Sequence, residues 1–151
     1  MASKSALDTL IELASLATDE AAKRLGNAIK ATDKAEKKLA LLQQYRDDYS
    51  VRFQAKMAQG LSPLNYRNFQ AFIEKLDEAI VGQQQLVHEA ENGTLREKSA
   101  WQASERKRLS YDTLANRATK KATQRDNKRD QKLNDEHAAR HERRQEQFKQ
   151  H

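Results

Sequence analysis

From Leu7 onward, apolar side chains recur in alternating steps of four and three. Positions 7, 11, 14, 18, 21, 25, 28, 32, 35, 39, 42, 46, 49 and 53 hold Leu, Ile, Ala, Thr, Ala, Leu, Ala, Thr, Ala, Leu, Leu, Arg, Tyr and Phe. Eleven of these fourteen are apolar or aromatic, and a row kept over roughly seven heptads is the seam of a coiled coil rather than one face of a globular-domain helix. Alanine dominates its first half, which implies close helix approach there, and bulk increases toward Phe53. A second row runs through Phe69, Ile73, Leu76, Ile80, Gln83, Val87, Ala90, Thr94, Glu97, Trp101, Ser104, Arg108, Tyr111, Ala115, Ala118 and Ala122, with eleven of sixteen apolar.

Between the rows the helix stops and restarts. Gly60 suits a C-terminal stop, and Ser62-Pro63 reads as N-cap and first helical position, where a missing amide hydrogen costs nothing. Leu61 and Tyr66 then occupy the two positions of a hydrophobic staple. So short a loop between long helices makes them antiparallel neighbours. The expected fold is all-α: a single long antiparallel two-helix coiled-coil hairpin, with helix over about 5–58, turn about 59–63, helix about 64–140 and a frayed C-terminal tail. ENGT (91–94) contains an Asn-Gly turn signal, so a three-helix bundle broken at Gly93 is the alternative to one kinked helix. At 1.5 Å per residue the first helix is about 80 Å long, which pairs the second out to about residue 118 and leaves the remainder overhanging.

Composition supports this pattern. Ala, Glu, Lys, Leu and Arg make up about half of the 151 residues, and apolar residues are only 37% against 33% charged, too few bulky groups for an ordinary packed core. The absence of cysteine excludes disulfides, thiolate metal sites and a cysteine nucleophile. The first twenty residues carry early acids and no apolar core of a signal peptide, and no stretch is long enough to span a bilayer, so the expected location is cytoplasmic. A net charge of +6 favours an acidic partner.

Candidate chemistry narrows the field further. There is no Gly-rich phosphate loop, no nucleophile elbow and no carboxylate pair that a two-helix hairpin could enclose; no enzyme and no cofactor are expected. His137 and His141 have the spacing of two metal ligands on one helix face, but no third ordered ligand accompanies them. From Thr119 the tail holds ten Lys or Arg and six Asp or Glu. It reads either as a helix end inserting into an acidic or mixed-charge partner, or as a solvated or disordered segment. A basic coiled-coil nucleic-acid-binding protein is the rival use of such a tail, weakened by six acids that would repel phosphate. Near the turn, Leu41, Tyr45, Phe72 and Ala79 exceed what one seam can use. They imply either a local stutter that swaps Tyr45 for Arg46 in the core or an exposed apolar patch for another protein.

The early hairpin break, LQQYRDDY (42–49), NYRNFQAFIEKLDEAI (65–80), Trp101 and RDQKLNDEHAAR (129–140) together resemble the flagellar type III export protein FliJ family over essentially the whole chain. The resemblance implies a stalk-like coiled coil, monomeric alone, that binds the hexameric export ATPase FliI, promotes its assembly and hydrolysis, engages the export gate protein FlhA and helps recycle export chaperones. It would place the protein peripherally at the inner face of the membrane, through the gate. Carried over by position, the gate-binding residues are Leu42, Tyr45, Tyr49, Phe72, Leu76 and Ala79, with a departure from the family pattern at Lys38 and Gln83. The ATPase contact is implied over roughly residues 7–25 and 115–145, with Arg125, Arg129 and Arg140 as candidate contacts.

Overall fold

A computed structural model describes residues 5–150. The described residues form two α-helices and no strand: α1 spans Ala6–Gln59 and α2 spans Pro63–Lys149. The start of α1 is fixed by a reciprocal cap. Asp8 N donates to Ser5 Oγ at 3.2 Å and Ser5 N donates to Asp8 Oδ2 at 3.3 Å, so two amides without intrahelical partners are satisfied by one Ser-x-x-Asp motif. α2 begins as its sequence predicts. Asn65 N donates to Ser62 Oγ at 3.2 Å with Pro63 at the first helical position. Gly60 closes α1 at φ 95°, a left-handed conformation that L side chains rarely adopt, with its N–H donating to Met57 O.

The chain divides into two compact units, Leu16–Glu105 and Met1–Ser15 with Arg106–His151. In the first, α1 and α2 pack as a hairpin. Its cross-helix contacts run Arg24 to Glu97, Thr32 to Thr94, Ala35 to Gln83, Arg46 to Asp77 and Phe53 to Tyr66. As the α1 number rises its partner's number falls, which is an antiparallel register. Within this unit every expected seam position of both helices is buried or half-buried. The burial is shallow: Thr18, Ala21, Gln83 and Val87 are its buried residues, and no large side chain is fully enclosed. A pair of helices has one contact face each, so it can enclose a small side chain such as Ala21 but not surround a large one.

α2 passes through Gly93 without interruption, which removes the three-helix alternative. Glycine costs about 1 kcal/mol relative to alanine inside a helix. The flanking seam residues Ala90, Thr94 and Glu97 stay half-buried across it, so the packed face is kept. Glycine is not needed sterically either, since a Cβ there would meet only the tip of Arg96 at ordinary contact distance.

In the second unit Leu7 and Ile11 are half-buried and Ala14 is buried, while on α2 the half-buried row comprises Arg108, Tyr111 and Ala115. The burial stops sooner than the apolar pattern does. Ala118 and Ala122 are exposed, as is every residue from Asn116 to Gln150. Alanine fits a seam but contributes little area, so it cannot by itself hold a partner. Helix nevertheless continues to Lys149, past the expected end near residue 140. No helix among the described residues is long and apolar enough to cross a membrane.

Candidate functional site

Two surfaces carry the residues singled out from the sequence. The first lies in the Leu16–Glu105 unit, near the turn, where aromatic side chains replace alanine in the seam. Tyr49 stacks between Phe69 and Phe72, with ring centroids 5.2 and 4.3 Å away, and Phe53 meets Phe69 at 5.4 Å and Tyr66 at 5.6 Å. All are tilted pairs; three lie within the favourable range for aromatic contact and Tyr49–Phe72 is slightly closer. Tyr66, expected to staple to Leu61, has its ring contact with Phe53.

The six candidate residues divide by burial. Leu42, Tyr49 and Leu76 are half-buried seam members; Tyr45, Phe72 and Ala79 are exposed, as is Leu41. The Tyr49–Phe72 contact joins the two groups, carrying apolar surface from the seam onto the outside of the hairpin. Tyr45 keeps 54% of its surface exposed. The stutter is therefore absent: Tyr45 stays outside and Arg46 occupies the seam. Arg46 Nε donates to Asp77 Oδ1 at 2.8 Å across the helices. That hydrogen bond, then the Coulomb attraction of the same carboxylate, raises the guanidinium above its ordinary pKa. A long side chain at a seam edge can lay its methylenes along the partner helix and keep its charge in solvent. Arginine therefore fits where the heptad asked for an apolar residue.

The second surface is the exposed part of α2, in the other unit. Arg125, Arg129 and Arg140 are all exposed there. On a continuous helix at about 100° per residue they share one face. That face also presents Lys121, Lys132 and Arg143, with Glu136 as its acid and Glu146 at its edge. Four of these, Arg125, Arg129, Lys132 and Arg143, continue the heptad row past Ala122, where its chemistry changes from apolar to mainly basic. Asp126, Asp130, Asp135 and Glu142 project from other sides. Counting charges along the tail hides this separation; reading them by helical period shows it. His137 and His141 lie on this stretch, and no group of three or more metal-ligating side chains occurs among the described residues.

Sequence reasoning passed over a third feature. Where the seam is small, an open groove lies between the helices of the hairpin unit, lined by Ile29, Thr32, Asp33, Glu36, Glu91, Thr94 and Leu95. Ile29 and Leu95 are exposed apolar residues off the seam, and that displacement was the available signal.

Residues 3–147 match the family model described as Flagellar FliJ protein. The chain belongs to the FliJ family. It is 32% identical to the Flagellar FliJ protein of Salmonella typhi over 120 residues, covering 79% of this chain and 81% of that protein. It is 29% identical to the Flagellar FliJ protein of Escherichia coli strain K12 over 117 residues, covering 78% and 80%. Membership supports a component of flagellar export as its role, and the helical hairpin agrees with the coiled coil that the family resemblance implied.

Proposed function

We propose that this chain is a non-enzymatic coupling element of flagellar type III export, carrying two docking surfaces for different partners. The basic row on exposed α2 contacts the hexameric export ATPase FliI and promotes ring assembly and hydrolysis. The apolar surface around Tyr45 and Phe72 contacts the export gate protein FlhA, which holds the protein peripherally at the inner face of the membrane. Recycling of empty export chaperones belongs to the same role.

The observation that carries this reading is the change of chemistry along one heptad row. Up to Ala115 the row is half-buried within its unit; beyond Ala122 it is exposed and basic. A helix that keeps its period after losing its apolar seam is suited to a partner recognised by charge. Glu136, within the basic row itself, disfavours nucleic acid, where it would face phosphate.

Hydrolysis by the purified cognate ATPase, titrated with full-length protein and with a chain ending at Ala118, tests the ring contact. Loss of stimulation on truncation is expected, with the hairpin helicity retained. Equal stimulation by both chains would remove the tail from the ring contact, and no stimulation by either would remove the role. For the gate surface, Tyr45→Ala is the sharper probe than Phe72→Ala, because Phe72 also packs on Tyr49. Loss of binding to purified gate protein with unchanged circular dichroism is expected, and retained affinity would exclude Tyr45 from the contact.

A further inference from the structure

The turn end of the hairpin has a composition found nowhere else along the chain. Between Tyr49 and Ile73 there is no Asp or Glu, while Arg52, Lys56 and Arg67 supply three positive charges. In a protein one-third charged, a stretch of this length without an acid marks a local field of one sign. The apolar residues here are also turned outward. Val51, Met57 and Leu64 are exposed, Leu64 to 67%, and Leu61 is half-buried in the turn itself. The aromatic rings behind them are already occupied with one another, so these residues are surplus to the packing of the hairpin.

The basic groups stand directly beside the apolar ones. Arg52 and Lys56 line a shallow groove with Tyr49, Ala55, Gln59 and Phe69. The Lys56 ammonium lies over the Phe69 ring, 5.7 Å from its centre, so cation and aromatic surface adjoin. Exposed aliphatic side chains at the extremity of a convex hairpin, collared by cations one to two turns back and flanked by aromatic rings, match a headgroup interface: apolar tips reach the acyl boundary while cations lie among phosphates. An acidic protein partner would satisfy the charges. It would not account for aliphatic groups carried on both helices and the turn of a convex end.

The geometry points to direct docking of this turn end on an anionic lipid surface, with Met57, Leu61 and Leu64 at the acyl boundary and Arg52, Lys56 and Arg67 on headgroup phosphates. The contact is peripheral: no helix among the described residues is long and apolar enough to cross the bilayer. It goes beyond the proposed coupling role and needs neither ATPase nor gate.

Because the chain has no cysteine, a fluorophore sensitive to polarity can be attached at Leu64→Cys in the full-length protein. Emission is then read against vesicles of phosphatidylcholine alone and of phosphatidylcholine with phosphatidylglycerol. Each cation near an anionic surface raises partitioning about fivefold, so the three together give on the order of a hundredfold over neutral vesicles. The expected result is a blue shift with the anionic vesicles only. Replacing Arg52, Lys56 and Arg67 by Gln abolishes it at the same lipid concentration. Replacing Arg125, Arg129 and Lys132 by Gln in the tail leaves the shift at Leu64 in place. No shift with anionic vesicles, or a shift that survives neutralisation of the three turn-end cations, would overturn the proposal. So would an equal shift produced by soluble polyglutamate, which would assign the surface to an acidic polypeptide.

Discussion

The turn end of the hairpin and its middle are built from the same heptad and held together by different forces. Near the turn, Tyr49, Phe53 and Phe69 fill the space between α1 and α2, and their rings meet those of Tyr66 and Phe72 at its edge. In the middle, small and polar residues are interleaved with the aliphatic Leu39, Ile80 and Val87. Gln83 Nε2 donates to Ala35 O at 3.0 Å, and the Thr32 and Thr94 hydroxyls meet at 3.0 Å. Each threonine hydroxyl also lies within reach of the carbonyl four residues earlier. Two hydrogens cannot serve all three contacts at once, so one hydroxyl bonds across the helices while the other bonds back to its own. The aromatic end gains from apolar area, which is non-directional; the polar middle gains little net free energy but fixes the register, because its partners match in only one alignment.

The largest effect belongs to Phe69→Ala, which removes the ring shared by Tyr49, Phe53 and Lys56. Complete burial of a Phe makes such a truncation worth 3–5 kcal/mol, and with Phe69 only half-buried about 2 kcal/mol is expected from urea denaturation. A loss below about 0.5 kcal/mol would erase the distinction between the regions.

Ala21→Leu probes close approach beyond the polar layer. Ala21 has no exposed surface, and the register set by Arg24 and Glu97 brings Trp101 level with it. Overpacking costs roughly 1–3 kcal/mol in an enclosed core, and about 1 kcal/mol is expected in this open two-helix unit, read as a lower melting temperature. A rise would show that the helices have room to separate there.

Thr32→Val leaves Thr94 without its cross-helix partner and is expected to cost about 1 kcal/mol. Adding Thr94→Val should recover much of that, because removing both members of a hydrogen bond leaves nothing unsatisfied. Additive losses in this double-mutant cycle would mean that the pair is not coupled.

The smallest effect is Tyr45→Ala, expected to change stability by no more than about 0.5 kcal/mol because its ring stands outside the seam. A loss comparable to Phe69→Ala would make Tyr45 part of the core and remove its surface role.

Much of this was legible in the residue order. The heptad rows, Ser62-Pro63 as a helix start and Gly60 as a stop follow from side-chain periodicity and local backbone preference, both written in neighbouring residues. The Ser5–Asp8 cap was equally legible and was passed over, as was the basic row at Arg125, Arg129, Lys132, Arg140 and Arg143, which emerges only when charges are read by helical period. Where Asn92-Gly93 bends the local preference toward a turn, or where Ala118 and Ala122 extend an apolar row, sequence carried two readings.

Only the tertiary structure decided those. Whether α2 continues through Gly93 depends on what α1 places beside it, and whether an alanine row is buried depends on whether a second helix covers it. Arg46 rather than Tyr45 takes the seam, where it meets Asp77, thirty-one positions away in the chain and 2.8 Å away in space. Period and propensity are properties of a single helix. Burial and pairing belong to two helices at once, and no local stretch of residues specifies them.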